Sequence, residues 1–408
     1  MRTLDVLSTL RPLIPGVYLP SFLMSFGIGM LVPTLPLFAA GLGVNFTLVT
    51  LVVAMAGLGT LVWNVPAGLL QTGRSEQRAA LLGLAVMGIT TLALAFTRDY
   101  VLVVIFRALS GIGLATWTIS RMAHLITMVP VHHRGRAMSL FGGFSRVGLF
   151  PSPAIGGALA EHVNFETAFL VAGLITAAGM VPMLLASHTT RQEQHKASAA
   201  QSDTSGLATV LTTQRRDLAT AGTGQLLASA IRAGRQVIIP IYGAFVLNLD
   251  ATAVGVAVSA SAAIDMTLFP VAGFVMDRFG RKFTNAPSML MLGASMALLP
   301  LAHDFVGLLV VALFAGVANG WGSGAMLTLG SDLAPHRSPS AFLGVWQFMG
   351  NVGATSGPML VGVVADASGP EVAPYYIAAT GIASGLIFLC LVPETRRPAG
   401  HAVPPMEP

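Results

Sequence analysis

Residues 273–282 read Gly-Phe-Val-Met-Asp-Arg-Phe-Gly-Arg-Lys and separate two long apolar runs. After the first run ends, an acid, a glycine and three cations follow within six residues. A soluble domain does not need so abrupt a change in polarity. An apolar helix that leaves a bilayer and turns straight back does need a short charged turn. The stretch therefore predicts a turn between two membrane-spanning helices.

The composition of the whole chain supports this interpretation. Of its 408 residues, 54% are hydrophobic and 10% are charged, whereas soluble domains carry about 25% charged residues. Twelve apolar runs are near or above the ~20 residues that span a bilayer. They lie at roughly 14–40, 47–71, 79–97, 101–128, 137–160, 165–186, 217–247, 251–276, 285–302, 305–331, 340–365 and 373–392. The pattern predicts an all-α, polytopic membrane protein with twelve transmembrane helices.

The distribution of charge predicts how the chain is oriented. With twelve spans both termini lie on one side, and the segments on that side hold sixteen Lys and Arg residues, whereas the opposite side holds only Arg98. The sixteen are Arg2, Arg11, Arg74, Arg78, Arg134, Arg136, Arg191, Lys196, Arg215, Arg216, Arg278, Arg281, Lys282, Arg337, Arg396 and Arg397. Loops rich in Lys and Arg remain cytoplasmic, so we expect both termini on the cytoplasmic side of a cell (inner) membrane. These loop positions account for the basic charge without a nucleic-acid partner.

An internal repeat divides the chain into two halves. The polar segment 187–216 has the composition of a linker and separates six helices in 1–186 from six in 217–392, and a proline-rich cytoplasmic tail, 393–408, is expected to be disordered. A shift of 205 residues aligns six Gly or Pro positions over about 90 residues of each half. The pairs are Gly68 with Gly273, Gly111 with Gly316, Pro130 with Pro335, Gly148 with Gly353, Pro153 with Pro358 and Gly157 with Gly362. Six spans per repeat make the halves parallel, related by an axis along the membrane normal.

These features resemble the major facilitator superfamily of transporters, and the likeness covers almost all of the chain. The opening stretch, Gly273-x-x-x-Asp277-Arg278-x-Gly280-Arg281-Lys282, is similar to the family's loop motif between helices 8 and 9. The first-half copy, with Gly68, Arg74 and Arg78, is degraded because Thr72 stands where the family usually has Asp.

The two loop motifs are expected to latch the cytoplasmic side. Asp277 would meet the positive N-terminal end of a helix in the opposite half, and the cations beside it would meet carboxylates such as Asp332. Because Thr72 replaces an acid, the first-half latch should be the weaker one.

Three further motifs lie within helices. Arg107-x-x-x-Gly111-x-Gly113 resembles the helix 4 motif of proton-coupled members. Gly148-x-x-x-Ser152-Pro153-x-x-Gly156-Gly157 resembles the helix 5 antiporter motif, with Ser152 in place of a glycine, and Gly353-x-x-x-Gly357-Pro358-x-x-x-Gly362 echoes it in helix 11. Such segments make kinked, closely packed helices on which two halves can rock. The resemblance is nearest to exporters that exchange drugs or metabolites for protons.

Ionisable residues inside a span are costly and are therefore functional candidates. Asp265 is the only acid near the middle of a predicted span, and Thr60 stands at the position that the repeat relates to it. Asp265 either binds a proton or a substrate, or pairs permanently with an arginine that holds two helices together. The possible partners are Arg146 in helix 5, Arg232 and Arg235 in helix 7, and Arg107 and Arg121 in helix 4.

Five arginines against one central acid leave a surplus of positive charge. Arginines that line a cavity would favour an anionic or carboxylate-bearing substrate. Alternatively they extend to the membrane surface or contact backbone carbonyls, which we expect above all for Arg121 near a helix end. Arg107 acts either in proton coupling, as the resemblance implies, or in packing.

Uncharged polar and tryptophan side chains within spans complete the set of cavity candidates. They are Asn64, Asn319, Gln347, Asn351, Trp117, Trp321 and Trp346. The amides contact a substrate or, as an alternative, hydrogen-bond between helices. The tryptophans line a hydrophobic cavity or pack in the core.

The sequence predicts a secondary active transporter that works by alternating access, with proton-coupled efflux of small amphipathic compounds as the first hypothesis. Asp265 would carry the proton, with Arg146 or Arg232 as its partner or as a substrate anchor. The alternatives are an importer or facilitator of an organic anion and, from another class, a non-transporting membrane receptor on the same fold. No catalytic or metal-ligand constellation is visible, so neither an enzyme nor a cofactor nor a metal is expected. The expected partners are a small-molecule substrate, protons and the lipid bilayer, and the expected state is a monomer.

Overall fold

The computed structural model describes residues 13–70, 76–129, 131–186, 210, 212–335 and 339–395, and these residues form helices without β-strands. Twelve long helical units follow one another. They are α1 (Leu19–Ala40, after a π-helical turn at Ile14–Tyr18), α2 (Phe46–Leu70), α3 (Glu76–Leu94), α4 (Tyr100–Met128), α5 (Val131–Leu149 and Ser152–His162), α6 (Phe165–Ala178 and Met180–Ala186), α7 (Thr223–Phe245), α8 (Ala251–Phe279), α9 (Lys282–Leu298), α10 (Phe305–Trp321 and Ala325–Leu333), α11 (Pro339–Ser368) and α12 (Ala373–Cys390).

The predicted architecture of a twelve-helix membrane protein is confirmed. Nine helices of the described part are long and apolar enough to cross a membrane. The other three depart from a plain apolar run: α5 is interrupted at Phe150 and Pro151, α7 carries Arg232 and Arg235, and α9 has 17 residues. The predicted division at 187–216 stays a prediction, because most of that segment lies outside the described residues. Its last residues are helical and lead into α7 through Arg215–Asp217 and a π-helical turn.

Three acids and one amide act as helix caps at the side where α1 ends and α2 begins, here called the far side. The helices α4, α6, α8 and α10 all begin there. The caps are Asp99, Asn164, Asp250 and Asp304, each of which accepts a hydrogen bond of 2.6–3.0 Å from the N–H three residues later. Such caps satisfy N–H groups that the helix itself leaves unpaired. Three of these four caps are acids, so helix capping accounts for part of the negative charge on this side.

The internal repeat is visible in the way helices touch. Gly111 of α4 lies against the carbonyl of Ala56 in α2, and Gly316 of α10 lies against the carbonyl of Ser261 in α8. The 205-residue shift relates both members of these two contacts. A side chain at either glycine would clash with backbone, so only glycine allows the helices to approach this closely.

The two halves meet at the far side through another pair of glycine contacts related by the repeat. Gly157 of α5 lies against the carbonyl of Ala251 in α8, and Gly362 of α11 lies against the carbonyl of Phe46 in α2. In each case the glycine belongs to one half and the carbonyl to the other. The far-side ends of the halves are therefore packed backbone to backbone.

Two carboxylates reinforce this junction, and we call them the reciprocal caps. Glu161, at the end of α5, accepts a 3.0 Å hydrogen bond from the N–H of Ala251, the first residue of α8. Asp366, near the end of α11, accepts 2.8 Å hydrogen bonds from the N–H groups of Phe46 and Thr47 in α2. The 205-residue shift takes Glu161 to Asp366 and Phe46 to Ala251. Each half thus caps a helix of the other with a carboxylate, which the helix dipole also favours.

Replacing both Glu161 and Asp366 by alanine should favour a state in which the far side opens. Losing one N-cap acceptor costs about 1 kcal/mol, so the double variant should raise the ratio of open to closed molecules by about 30-fold. The measurement is labelling of a Val258→Cys reporter by a membrane-impermeant maleimide added on the far side, in a Cys390→Ser background.

Asp304→Ala is the matched control, because it removes a cap of the same chemistry within one half. Labelling of this control should match that of the background protein. If the double variant reacts no faster than Asp304→Ala, the reciprocal caps do not hold the far side closed.

Candidate functional site

An ion pair inside the helical bundle joins the two halves. Arg146 of α5 places its Nη1 atom 3.2 Å from Oδ1 of Asp265 in α8, and the two side chains are 28% and 17% exposed. Arg146 is thus the member of the five predicted candidates that makes the direct contact with Asp265. The pair is shielded on most sides but still reachable, as a site for a small ion or ligand must be.

Two further side chains complete a hydrogen-bond network around the carboxylate: Asn319 in the first part of α10 and Ser323 in the break between its two parts. Ser323 accepts a 2.9 Å hydrogen bond from Arg146 and donates a 3.1 Å bond to Oδ1 of Asp265. Asn319 donates from Nδ2 to Oδ2 of Asp265 at 3.1 Å. The guanidinium carbon of Arg146 also lies 4.7 Å from the centre of the Phe269 ring, in a cation–π contact. Both carboxylate oxygens are therefore hydrogen-bonded.

Glycines make this arrangement possible. Gly320 packs so closely on α8 that a Cβ there would lie 3.0 Å from the Asp265 backbone, and this approach lets Asn319 and Ser323 reach the carboxylate. On the other side of the pair, Gly142 and Gly143 of α5 have no atom within 4 Å of an added Cβ. The helices around Asp265 are therefore closely packed, whereas α5 has open space beside Gly142 and Gly143.

A cavity of ≈ 210 Å³ adjoins the ion pair. Arg146, Asp265 and Asn319 line it together with Arg235 and Gln236 of α7, beside apolar side chains. Arg235 donates a 3.1 Å hydrogen bond to Ser261, which also lines the cavity. The cavity therefore combines an apolar wall with two guanidinium groups and one carboxylate.

The remaining three arginines have different surroundings. Arg232 donates to the carbonyl of Gly322 at 3.3 Å, and its buried Nε has no hydrogen-bond partner in the described part of the chain. Arg121 donates to the carbonyls of Gly16 and Glu76 at 2.9 and 3.1 Å, which agrees with the expected carbonyl contacts. Arg107 lines a second cavity, of ≈ 230 Å³.

Two of the tryptophans, for which the sequence left cavity lining and core packing open, are buried in the core. Trp117 is 0% exposed and packs with Leu84 and Met87 inside the first half. Trp346 is also 0% exposed and stacks on Phe342. In helices that are apolar on all sides, the sequence does not reveal which face points inward, so it could not choose between cavity lining and core packing for these two residues.

Most of the other cavity candidates lie apart from the two cavities. Trp321 donates its indole N–H to the carbonyl of Phe283 at 3.2 Å, so it joins α10 to α9. Asn64, Gln347 and Asn351 are not among the residues that line either cavity. Asn319 is thus the one uncharged polar candidate that the structure brings to Asp265.

The glycines and prolines predicted to shape α5 and α11 lie at close contacts. Gly148 and Gly156 lie against carbonyls of α1, and Gly353 and Gly357 lie against carbonyls of α7. Gly157 and Gly362 form the far-side junction described above. The kink residues are placed symmetrically as well, because Pro153 lines the Asp265 cavity and Pro358 lines the Arg107 cavity.

The charged turn after α8 is stabilised within its own half. Gly280 has a φ of +108°, a conformation that favours glycine, and ends α8. Arg281 donates to Asp332 at 2.8 Å, as predicted for a neighbouring carboxylate. Asp277 is 78% exposed, and its recorded partner among the described residues is Arg281 at 3.8 Å. The expected contact of Asp277 with a helix of the opposite half is not found among the residues that the structure describes.

The other residues of the two loop motifs lie in helices or turns, or fall outside the described residues. Gly273 has open space around it, Lys282 begins α9, and Arg278 lies 5.9 Å from the ring of Phe279. Gly68 lies within α2 and Arg78 within α3, whereas Thr72 and Arg74 lie outside the described residues. The predicted inequality of the two latches stays a prediction.

The start of the C-terminal tail differs from the expected disorder. Glu394 accepts hydrogen bonds of 2.9 and 3.0 Å from the backbone N–H groups of Arg281 and Lys282, and so caps α9. Thr395 donates to Asp332 at 3.0 Å. The sequence does show an acid and a hydroxyl residue, Glu394 and Thr395, just after the last apolar run. Nothing in the sequence indicates that they contact the charged turn, which lies over 110 residues earlier.

Gln236 and Ser323 are further site residues that sequence reasoning missed. Gln236 is the polar neighbour of Arg235 in α7 and lines both cavities. Ser323 lies in a break of α10 that begins at Gly322, which the sequence treated as one apolar run. A glycine pair around a serine within a span, Gly322 and Gly324, was the signal for that break.

Gly320→Ala should destabilise the protein because its methyl group would push α10 away from Asp265. We expect an overpacking cost of about 1–3 kcal/mol, larger than the gain of up to about 1 kcal/mol from better helix propensity. Thermal unfolding of the purified protein measures the net effect. Gly344→Ala is the control, since a Cβ at Gly344 meets nothing within 4 Å. Equal unfolding temperatures for the two variants would contradict the tight α8–α10 contact.

Comparison with known proteins places these features in a family. A sequence model of the Major Facilitator Superfamily matches residues 17–229 and 223–407. The chain is 26% identical over 294 residues to the synaptic vesicular amine transporter of Bos taurus, covering 70% of this chain and 55% of that protein. It is 23% identical over 178 residues to the quinolone resistance protein NorA of Staphylococcus aureus (strain Mu50), covering 43% and 45% of the two chains. The chain thus spans about half the length of these relatives.

Solved structures show the same fold at low sequence identity. A POT family transporter in complex with a thioalcohol-conjugated peptide superposes with a TM-score of 0.75 at 15% identity, covering 91% of this chain and 94% of the other. A nucleoside transporter, NupG, gives a TM-score of 0.75 at 14% identity, with coverages of 92% and 98%. The match of the family model over nearly the whole chain, on a fold of twelve helices, shows that this protein belongs to the Major Facilitator Superfamily.

Proposed function

We propose that this protein is a secondary transporter that exchanges a small amphipathic compound for protons by alternating access. The observation that carries the proposal is the Arg146–Asp265 ion pair, which joins the two halves beside a cavity. A transporter of this kind moves one half against the other around a central site. An ion pair across that boundary makes the movement sensitive to the charge of Asp265.

The proton would act by breaking the attraction between the halves. While Asp265 is ionised, it holds Arg146 and accepts from Ser323 and Asn319. Proton binding turns the carboxylate into a neutral acid that no longer attracts Arg146 by charge. The released guanidinium is then free to turn into the cavity, so proton binding and a change of cavity shape are one event. Release of the proton on the other side restores the pair.

The proposed direction of transport is supported by the orientation that the loop charges predict and by the name of one relative. If the sixteen cations mark the cytoplasmic side, the reciprocal caps close the exterior and the observed conformation faces inward. The exposed Asp277, without a partner in the first half among the described residues, suits an open cytoplasmic latch. NorA is described as a quinolone resistance protein and the bovine relative as a vesicular amine transporter. The resistance named in the first description favours removal of compounds from the cell, and we propose efflux across the inner membrane by a monomer.

A second candidate function is uncoupled passage of an organic anion. It is favoured by the surplus of guanidinium groups, because Arg232, Arg235 and Arg107 lie in the same region as the Arg146–Asp265 pair. In that case the Arg146–Asp265 pair is a permanent link between helices. A non-transporting receptor, the candidate of another class, would show no substrate-dependent flux at all.

Reconstituted vesicles with an internal pH-sensitive dye test the coupling. A set of amphipathic amines, zwitterions and carboxylates is added under an imposed pH gradient, and proton movement driven by each compound is recorded. We expect at least one compound to drive proton movement with the unmodified protein. With Asp265→Asn the signal should fall to that of protein-free vesicles, because the amide has no site for the proton.

Asp304→Asn is the matched control, an acid-to-amide change at a helix cap where Asn caps as well as Asp. It should leave proton movement unchanged. An Asp265→Asn protein that keeps its full response to the pH gradient would rule out the proposed coupling site. Carboxylate flux that persists without any proton movement would favour the second candidate.

A further inference from the structure

The cavity at Arg107 is the counterpart, in the internal repeat, of the cavity that holds the ion pair. Val53 and Pro358 line the Arg107 cavity. The 205-residue shift relates them to Val258 and Pro153, which line the Asp265 cavity. Val32 and Gln236 line both cavities. The protein therefore has two adjoining cavities of related construction, one of which contains Asp265 and the other Arg107.

The charged groups of the two cavities are different. In the Asp265 cavity, Asp265 neutralises Arg146. The position that the repeat relates to Asp265 is Thr60, whose hydroxyl hydrogen-bonds to the carbonyls of Ala56 and Gly111 at 2.9 and 3.0 Å. The residues that line the Arg107 cavity include no acid. The Asp265 cavity thus contains a carboxylate that balances Arg146, whereas the residues that line the Arg107 cavity include a guanidinium and no carboxylate.

Arg107 makes no hydrogen bond and no ion pair with the residues that the structure describes, and its Nε is buried. An arginine in the interior of a membrane protein is costly unless it has a partner. Arg121, by comparison, has two carbonyl acceptors. The missing acceptor at Arg107 is therefore a group that the described part of the chain does not supply.

We propose that Arg107 is an anion subsite that binds the carboxylate of an amphipathic organic acid. The apolar part of the ligand would lie against Ile28, Leu31 and Val53, and Gln236 would bind a polar group between the two cavities. A guanidinium donates two parallel hydrogen bonds to a carboxylate, which favours a flat acid over a neutral group of the same shape. The proposal specifies the substrate class for the transport function proposed above and rests on it.

Equilibrium binding to the purified, detergent-solubilised protein tests the subsite without requiring transport. The probes are aromatic and aliphatic carboxylates, among them 1-naphthoate, each paired with its carboxamide. We expect at least one carboxylate to bind more tightly than its amide. Arg107→Gln should weaken binding of that carboxylate about 10- to 100-fold, as expected for a charge-assisted hydrogen bond, and should leave the amide unaffected. Arg107→Lys should restore part of the preference for the acid.

Arg216→Gln removes an exposed cation outside the cavities and serves as the control. Size-exclusion profiles and unfolding temperatures establish that each variant is folded. The proposal is overturned if no carboxylate is preferred over its amide, or if Arg107→Gln keeps the preference. Asp265→Asn is measured in the same binding assay and should keep the preference for the acid. A preference for the acid together with unchanged proton movement in Asp265→Asn would overturn the coupling and keep the subsite, whereas proton movement that depends on Asp265 without any preference for the acid would overturn the subsite alone.

Discussion

A charge inside a membrane protein is costly unless it is paired or hydrogen-bonded, because lipid offers no water to solvate it. The Arg146–Asp265 pair meets this requirement between two helices that belong to different halves. Its geometry depends on the glycines of α10, which bring Asn319 and Ser323 to the carboxylate. A buried ion pair is weak evidence for stability as such, since desolvation offsets much of the attraction. What it provides here is a link whose strength depends on one proton.

The internal repeat is kept at the edges of the molecule and broken at its centre. At the far side Glu161 and Asp366 make equivalent contacts, because each caps the N-terminus of a helix in the other half and the two helices, α8 and α2, are themselves related by the repeat. At the centre the related positions differ in charge: Asp265 corresponds to Thr60, and Arg107 corresponds to Ala312. A symmetric frame suits a rocking movement of two similar halves. The proposed binding chemistry depends on the residues that break the symmetry.

Much of the architecture was predictable because membrane spans follow simple physical rules. The lengths of the apolar runs predicted the twelve helices. The glycines of α5 and α11 that the 205-residue shift relates were predicted to pack closely, and they do. The cost of a mid-span acid identified Asp265, and the list of its possible partners contained Arg146. The choice among five arginines was not predictable, since it depends on how each helix is rotated about its axis. The choice between cavity and core for Trp117 and Trp346 was open for the same reason.

The contacts that escaped prediction join residues far apart in the chain. Glu394 is an example, because it caps the start of α9 from beyond the last span. This contact has a practical consequence for work with the protein. A purification tag or a fluorescent protein fused directly after Val392 would replace the acid that covers two backbone N–H groups of the charged turn. Fusions placed beyond Thr395 keep that acid, and are the ones to use when the movement of the turn is being measured.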